Sequence, residues 1–194
     1  MRKYFPIFLD LKDKKILVVG AGPVAQQKIR SLLAAGAKVR VVAKDIPSER
    51  LKNVNYCIRA FRSSDLIYPD LVFCATDDES LNRRVGHLSR ARGIWVNVAD
   101  RPALCSFILP SVFRRGRITA AFSTGGTSPA LAKFLRERME KYIGPEVDHL
   151  AQRLAKSRKQ LLGMGLDERR AHLKKLLNEK TLSKLKRGKK IGNI

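Results

Sequence analysis

Two glycines stand between an apolar run and a helical pattern near the start of the chain. The run Lys15-Ile-Leu-Val-Val19 predicts a buried strand, and Gly20-Ala-Gly22-Pro-Val-Ala25 follows it directly. In such a setting Gly20 permits the turn, Gly22 leaves room for a pyrophosphate, and Ala25 allows the helix to pack close to the strand. The free N–H groups at the helix start then face the phosphate. The pattern predicts dinucleotide binding at Gly20 and Gly22; a glycine turn that binds no nucleotide is the alternative.

An acidic residue follows the next predicted strand. The segment Ala37-Lys-Val-Arg-Val-Val-Ala43 is apolar and β-branched, and Lys44 and Asp45 come directly after it. Asp45 lies about 20 residues beyond the glycine loop, where a carboxylate can bond the ribose hydroxyls of NAD. Lys44 and Arg40 point towards NADP, because a cation there can bind its 2′-phosphate. Asp45 as a cap of the turn before Pro47 is the structural alternative.

Polar clusters end two further predicted strands. One is Thr76-Asp-Asp78 and the other is Asn97-Val-Ala-Asp100. Ligands of open parallel sheets lie outside the carboxyl ends of the strands, so Thr76 is a candidate cofactor contact and Asn97 a candidate substrate contact. Asp100 is a candidate general base, placed to take a proton from a substrate beside the nicotinamide. A strand-end aspartate that accepts from loop N–H groups explains Asp100 equally well, and the acidic pair after Thr76 is typical of a helix cap.

A second glycine-rich segment precedes a later helical pattern. In Thr124-Gly-Gly-Thr-Ser-Pro129 two glycines are followed by two hydroxyl residues and a proline, which predicts an anion nest whose N–H groups can hold a carboxylate or phosphate. The predicted substrate-binding residues here are Thr124, Gly125, Gly126, Thr127 and Ser128. A helix start that is capped by Thr127 or Ser128 is the structural alternative.

The elements that must position these residues alternate along the chain. Predicted strands at 15–19, 37–43, 53–61, 71–75 and 94–98 are interleaved with helical patterns at 26–35 and 79–91. This alternation predicts an α/β fold with a Rossmann-like, doubly wound parallel sheet. Short strands at 111–113 and 118–122 follow, then helices. We expect an NAD-binding domain at 1–112, a dimerisation or linking segment at 113–145, and a small basic helical domain at 146–194.

The charge of the chain is strongly positive. Its 194 residues include 40 Lys and Arg against 17 Asp and Glu, for a net charge of +23. Between Ala151 and Ile194 there are 14 basic and 3 acidic residues. Such a field attracts polyanions, either nucleic acid or a small ligand with many carboxylates. The tail 184–190 is typical of a solvated end, and we do not expect a nucleic-acid partner, although a tail that binds RNA or DNA is the alternative.

Cysteine and hydropathy patterns restrict the class of protein further. Cys57, Cys74 and Cys105 are odd in number and far apart, which favours buried thiols in the reducing cytoplasm over disulfides. The three histidines are scattered, so we predict no metal site. No apolar run approaches the ~20 residues that span a bilayer, and the first ten residues are too short an apolar stretch for a signal peptide.

An ordered set of motifs carries a family resemblance. The motifs are Pro6-Ile-Phe8, Val18-Val-Gly-Ala-Gly-Pro-Val-Ala25, Ala75-Thr-Asp-Asp78, Asn82, Asn97-Val-Ala-Asp100, Ser106-Phe-Ile-Leu-Pro110 and Ser123-Thr-Gly-Gly-Thr-Ser-Pro129. Together they resemble the precorrin-2 dehydrogenase and sirohydrochlorin ferrochelatase family, the NAD-dependent N-terminal part of siroheme synthase. The resemblance covers roughly residues 4–140 and does not reach the basic tail beyond about Lys156.

The resemblance implies a reaction and its residues. Family members oxidise precorrin-2, a tetrapyrrole with many acetate and propionate groups, to sirohydrochlorin with NAD as acceptor. The family's essential aspartate maps onto Asp100, and Thr124 stands where some members have a phosphorylated serine. The family's cofactor contacts map onto Pro23, Val24, Lys44 and Asp45.

The resemblance also implies an assembly and leaves some chemistry open. Family members are homodimers with intertwined linking segments, and we expect a separate methyltransferase to supply precorrin-2. Some members also insert ferrous iron to give siroheme, which stays open for this chain. The alternatives are a non-catalytic NAD-sensing module whose basic tail binds nucleic acid or a partner, and a chelatase that no longer binds nucleotide.

Overall fold

The chain divides into two compact units. The structure is a computed structural model that describes residues 4–45, 47 and 49–186. The units are Met1–Ile108 and Leu109–Ile194. No described helix is both long and apolar enough to cross a membrane.

Five parallel strands form the sheet of the first unit. They are β1 (Lys15–Val19), β2 (Lys38–Ala43), β3 (Val54–Ile58), β4 (Leu71–Cys74) and β5 (Trp95–Val98). Their order across the sheet is β3-β2-β1-β4-β5, so the chain reverses its winding direction between β1 and β4. A crevice opens at such a switch point, outside the carboxyl ends of the strands. The predicted doubly wound parallel sheet is confirmed.

The carboxyl ends of the strands are level with one another. Val19 pairs with Val42 of β2 and with Cys74 of β4, and Cys74 in turn pairs with Val98 of β5. The loops that follow these four strands therefore emerge at one edge of the sheet. That edge carries all the predicted site residues of the first unit.

One helix covers each face of the sheet. Helix α1 (Pro23–Ala34) buries Ile29 and Leu32 against Ile16 and Val18, whereas α2 (Glu79–Ala91) buries Val85 against the opposite face. Alternate residues of β1 point to the two faces, and both are apolar because both are covered. A 3₁₀ turn at Ser63–Leu66 precedes β4.

The second unit begins with an antiparallel hairpin. Strands β6 (Ser111–Arg115) and β7 (Ile118–Phe122) are joined at Gly116, whose φ of +52° suits glycine. The Asp148 carboxylate accepts a hydrogen bond of 2.8 Å from the Arg117 N–H and so fixes this turn. The helices that follow are α3 (Pro129–Tyr142), α4 (Pro145–Lys156), α5 (Arg158–Gly163), α6 (Leu166–Leu176) and α7 (Glu179–Lys186).

Several predicted bounds differ from those observed. Helix α1 begins at Pro23, because proline suits the first helical position, and the predicted start at 26 was wrong. Strand β3 ends at Ile58, short of the predicted 61. The functional roles of the parts 1–112, 113–145 and 146–194 stay predictions. Within the predicted basic tail, residues 187–190 lie outside the described residues, as do 191–194.

Candidate active site at the carboxyl edge of the sheet

Gly20 is required by the fold itself. It has a φ of +109°, which side chains rarely adopt, and its N–H donates to the Val42 carbonyl at 2.9 Å. A Cβ at this position would lie 2.1 Å from the carbonyl oxygen of Ala75 at the end of β4. Glycine therefore lets the end of β1 pass close to β4 at the switch point.

Gly22 is not required by the fold. It is the N-cap of α1 in an extended conformation (φ −69°, ψ 179°) that any residue adopts, and a Cβ added there would meet no heavy atom within 4 Å. No side chain caps this helix start, and no acidic residue lies in its first turn. Open space in front of uncapped N–H groups fits a pyrophosphate. Pro23 and Val24 are exposed beside it.

Lys44 and Asp45 lie where β2 ends. Both side chains are exposed, and within the described part of the chain no hydrogen bond or ion pair is found for either of them. Because β2 is the neighbour of β1, this position is one strand away from the glycine loop. Both side chains are thus available to a ligand that extends from the loop towards β2.

A buried asparagine organises the loop after β4. The Thr76 hydroxyl donates to Asn82 Oδ1 at 2.7 Å, and Asn82 Nδ2 donates back to the Thr76 carbonyl at 2.8 Å. The Cys74 thiol donates to the same Oδ1 at 3.0 Å, and burial raises the pKa of this thiol to about 12. Asp78 accepts from the Leu81 N–H at 2.9 Å, which confirms its predicted capping role. The sequence pattern did not predict that Asn82 would bond to Thr76 and Cys74.

Asp100 follows β5 in a left-handed backbone conformation. Its φ is +56°, a region that aspartate tolerates better than most residues. The side chain is exposed, and among the described residues none forms a hydrogen bond or ion pair with its carboxylate. The carboxylate is therefore free to act on a ligand at this edge of the sheet.

Two neighbours of Asp100 were not singled out by their sequence pattern. Lys28 is half-buried on α1; burial lowers the pKa of its ammonium group, while the negative charge of Asp100 acts to raise it. Cys105 is buried and bonds to the turn that carries Asp100. Sequence spacing could not reveal either residue, because Lys28 is 72 positions from Asp100 and Cys105 has the sequence context of an ordinary buried thiol.

Asn97 is turned into the first unit. It is 7% exposed, and its Nδ2 donates to the Phe107 carbonyl at 3.1 Å. The amide thereby ties β5 to the segment that follows Cys105. Its predicted contact with substrate stays a prediction.

The second glycine-rich loop belongs to the second unit. Gly125 and Gly126 have φ values of +66° and +89°, and Ser128 Oγ accepts from the Leu131 N–H at 3.2 Å as the N-cap of α3. The Thr124 hydroxyl bridges the loop: it accepts from the Ser128 N–H at 2.9 Å and donates to the Ser128 carbonyl at 3.0 Å. Thr127 is exposed. The loop is thus a capped helix start with two left-handed glycines.

Two curated relatives that are similar to this chain are siroheme synthases. The siroheme synthase of Thioalkalivibrio sulfidiphilus is 46% identical over 153 residues, which cover 76% of this chain and 31% of that protein. The siroheme synthase of Ectopseudomonas mendocina is 43% identical over 152 residues, which cover 77% of this chain and 33% of that protein. The chain therefore spans about a third of the length of these relatives.

A solved structure shares the fold, and a family model covers the first unit. The structure of SirC, precorrin-2 dehydrogenase, superimposes with a TM-score of 0.79 at 24% identity, over 93% of this chain and 92% of that chain. The model of the family described as "Putative NAD(P)-binding" matches residues 7–111, which are more than half of the chain. With its open glycine loop at the switch point, the chain belongs to this NAD(P)-binding family.

Proposed function

We propose that this chain is an NAD-dependent precorrin-2 dehydrogenase, an oxidoreductase that converts precorrin-2 to sirohydrochlorin in siroheme biosynthesis. The observation that carries the proposal is the position of the Asp100 carboxylate, exposed and without a hydrogen bond from any described residue, at the same sheet edge as the open space before Gly22. The names of the relatives, siroheme synthase and precorrin-2 dehydrogenase, support the choice of substrate.

The glycine loop and its neighbours fit a dinucleotide. A Cβ at Gly22 would project into open space in front of the α1 N-terminus, and that N-terminus lacks any side-chain cap. In this proposal the remaining cofactor contacts are Gly20, Pro23, Val24, Lys44, Asp45 and Thr76. Asp45 favours NAD through the ribose hydroxyls. When bound, NAD supplies the hydride acceptor.

Asp100 is the residue that takes the proton. Oxidation removes a hydride and a proton from the substrate, so a carboxylate beside the nicotinamide completes the chemistry. The absence of a hydrogen bond to it among the described residues supports this role, because a purely structural aspartate would accept hydrogen bonds from the loop. Burial lowers the pKa of the Lys28 ammonium group and the negative charge of Asp100 opposes this shift, so the two side chains interact electrostatically.

The substrate is a polyanion, and the chain is rich in cations. Its net charge of +23 attracts a tetrapyrrole with many carboxylates and steers it towards the protein. We assign substrate binding to Asn97, Thr124, Gly125, Gly126, Thr127 and Ser128. In the loop of the second unit, the exposed Thr127 hydroxyl and the backbone N–H groups are the groups that would bind a carboxylate.

The same proposal includes a homodimer in the cytoplasm. Helix α3 exposes Leu131 (48%), Phe134 (49%), Leu135 (40%) and Tyr142 (71%), an apolar surface of the kind that a second copy covers. The scattered spacing of the three cysteines, which favours a reducing compartment, is consistent with this part of the proposal.

The test is an anaerobic assay of Asp100→Asn with precorrin-2 and NAD. We expect sirohydrochlorin formation to slow by about 10²–10⁴-fold while NAD affinity is unchanged, because only the proton acceptor is removed. Asp77→Asn is the matched control, since Asp77 is an exposed carboxylate at the same edge. Turnover by Asp100→Asn at the wild-type rate would remove Asp100 from the proposal. A wild-type protein that binds NAD and leaves precorrin-2 unchanged would instead indicate the NAD-sensing module.

A further inference from the structure

Strand β5 lies at one edge of the sheet, and residues Cys105 and Ser106 bond to that edge. On one side β5 pairs with β4. On the other side, the Ser106 N–H donates to the Val96 carbonyl at 2.8 Å, and the Val96 N–H donates to Ser106 Oγ at 3.3 Å. Two residues further along β5, the Val98 N–H donates to the Cys105 thiol, where in the middle of a sheet it would donate to a neighbouring strand.

The Cys105 thiol bonds to both ends of one turn. Its Sγ accepts from the Val98 N–H at 3.2 Å. Its single S–H has two acceptors within reach, the Val98 carbonyl at 3.2 Å and the Arg101 carbonyl at 3.3 Å, and donates to one of them at a time. The turn is closed by the Arg101 N–H, which donates to the Val98 carbonyl at 3.3 Å. A single buried side chain thus spans the first and last residues of the turn.

The turn carries Asp100 in a conformation that needs support. A non-glycine residue at a φ of +56° is less stable than the same residue at negative φ, and it persists where its surroundings hold it. Cys105 is 6% exposed and Asp100 is exposed, so the support comes from the buried side of the turn and leaves the carboxylate outside.

We infer that Cys105 is the positioning residue for Asp100: its thiol holds the Val98–Arg101 turn so that the Asp100 carboxylate faces the crevice. This inference rests on the proposed function for its effect on turnover. The hydrogen bonds to the turn do not depend on that function. A buried thiol is suited to the place, because it donates and accepts weakly and packs as a small apolar group.

The experiment compares Cys105→Ala and Cys105→Ser with the matched control Cys57→Ala. Cys57 is a free, partly buried cysteine on β3, at the far edge of the sheet. In Cys105→Ala we expect kcat for sirohydrochlorin formation to fall by roughly 10–100-fold, since a misplacement of about 1 Å has an effect of that size. The KM for precorrin-2 and the affinity for NAD should stay at the wild-type values. The serine variant should recover part of kcat, because its hydroxyl keeps a donor and an acceptor.

Amide hydrogen exchange gives a readout that is independent of turnover. The Val98 and Arg101 amides should exchange faster in Cys105→Ala than in the wild type, and they should be unaffected in Cys57→Ala. Faster exchange with wild-type kcat, or unchanged exchange, would overturn the inference. If Cys105→Ala fails to fold, the serine variant decides: its kcat and its exchange at Val98 and Arg101 should change together, and a change in one without the other would overturn the inference. A wild-type protein without dehydrogenase activity would contradict the proposed function only. Amide exchange at the Val98–Arg101 turn would still decide whether Cys105 holds that turn.

Discussion

Replacing Gly22 by alanine separates what the fold needs from what a bound dinucleotide needs. The added Cβ meets no heavy atom within 4 Å, and the backbone conformation (φ −69°, ψ 179°) suits alanine. Alanine is a poorer N-cap than glycine, but it also lowers the conformational entropy of the unfolded chain. These effects oppose each other, so the free energy of unfolding should change by less than about 1 kcal/mol.

NAD affinity should respond very differently. The methyl group would occupy the space in front of the α1 N-terminus and push the pyrophosphate away from the N–H groups. Loss of one charge-assisted hydrogen bond costs about 1.5–3 kcal/mol. The dissociation constant for NAD, measured by calorimetric titration, should therefore rise about 10–100-fold.

Gly165→Ala is the matched control. Gly165 is the N-cap of α6, with a similar backbone conformation (φ −58°, ψ 155°), and a Cβ there also meets no heavy atom within 4 Å. Its effect on unfolding should equal that of Gly22→Ala, and its effect on NAD binding should be nil. Wild-type NAD affinity in a folded Gly22→Ala protein would refute the placement of the pyrophosphate.

Three further predictions concern stability. Burial raises the pKa of the Cys74 thiol from 9.0 to about 12. The contribution of this thiol to the free energy of unfolding is therefore complete below pH 9 and is lost as the pH rises towards 12. Urea unfolding should show that the free energy of unfolding of the wild type falls by up to about 4 kcal/mol more than that of Cys74→Ala across that range. Hydrogen bonds from Arg59 lower the pKa of Asp65, so this carboxylate stabilises the fold at neutral pH and the contribution disappears as the pH falls through its folded pKa; Asp65→Asn should cost about 3 kcal/mol at neutral pH and less in acid. Gly20→Ala places a Cβ 2.1 Å from the Ala75 carbonyl oxygen at positive φ and should lose about 3 kcal/mol in thermal unfolding.

Each of these predictions has a contradicting result. Parallel stability curves for the wild type and Cys74→Ala above pH 9 would show that the thiol does not titrate in the unfolded state alone. A pH-independent cost of Asp65→Asn would mean that the ion pair with Arg59 does not supply the stability. A Gly20→Ala protein as stable as Gly22→Ala would contradict the close approach of β1 to β4.

Local signals predicted the elements that contain their own start and stop residues. Helix α2 has its predicted bounds, Glu79–Ala91, because Asp78 caps one end and Gly93 ends the other. The apolar run after Lys15 predicted β1, because a strand that is buried on both faces of a sheet requires a continuous apolar run. The start of α1 was misplaced because its signal is Pro23, a residue that a helical pattern alone does not favour.

Side-chain hydrogen bonds across the loops that follow β4 and β5 could not be predicted from the sequence. Asn82 supports Thr76 through a hydrogen bond across the loop after β4, and Cys105 bonds back to Val98 across a turn. Neither residue type predicts a hydrogen bond that supports a loop, because asparagine and cysteine occur in many buried settings. The left-handed conformation of Asp100 is likewise a property of the folded turn. Glycine spacing identified the loop, whereas the different demands on Gly20 and Gly22 became visible only in three dimensions.

The stoichiometry of the reaction under anaerobic conditions decides whether the chain is an NAD-dependent dehydrogenase of precorrin-2. Precorrin-2, NAD and the protein are mixed, and NADH and sirohydrochlorin are followed in the same cuvette by their absorbance. We predict that the two products appear together in equal amounts, and that both form about 10²–10⁴-fold more slowly in Asp100→Asn while NAD still binds. Sirohydrochlorin that appears without NADH, or equal rates with and without the Asp100 carboxylate, would contradict the proposed reaction.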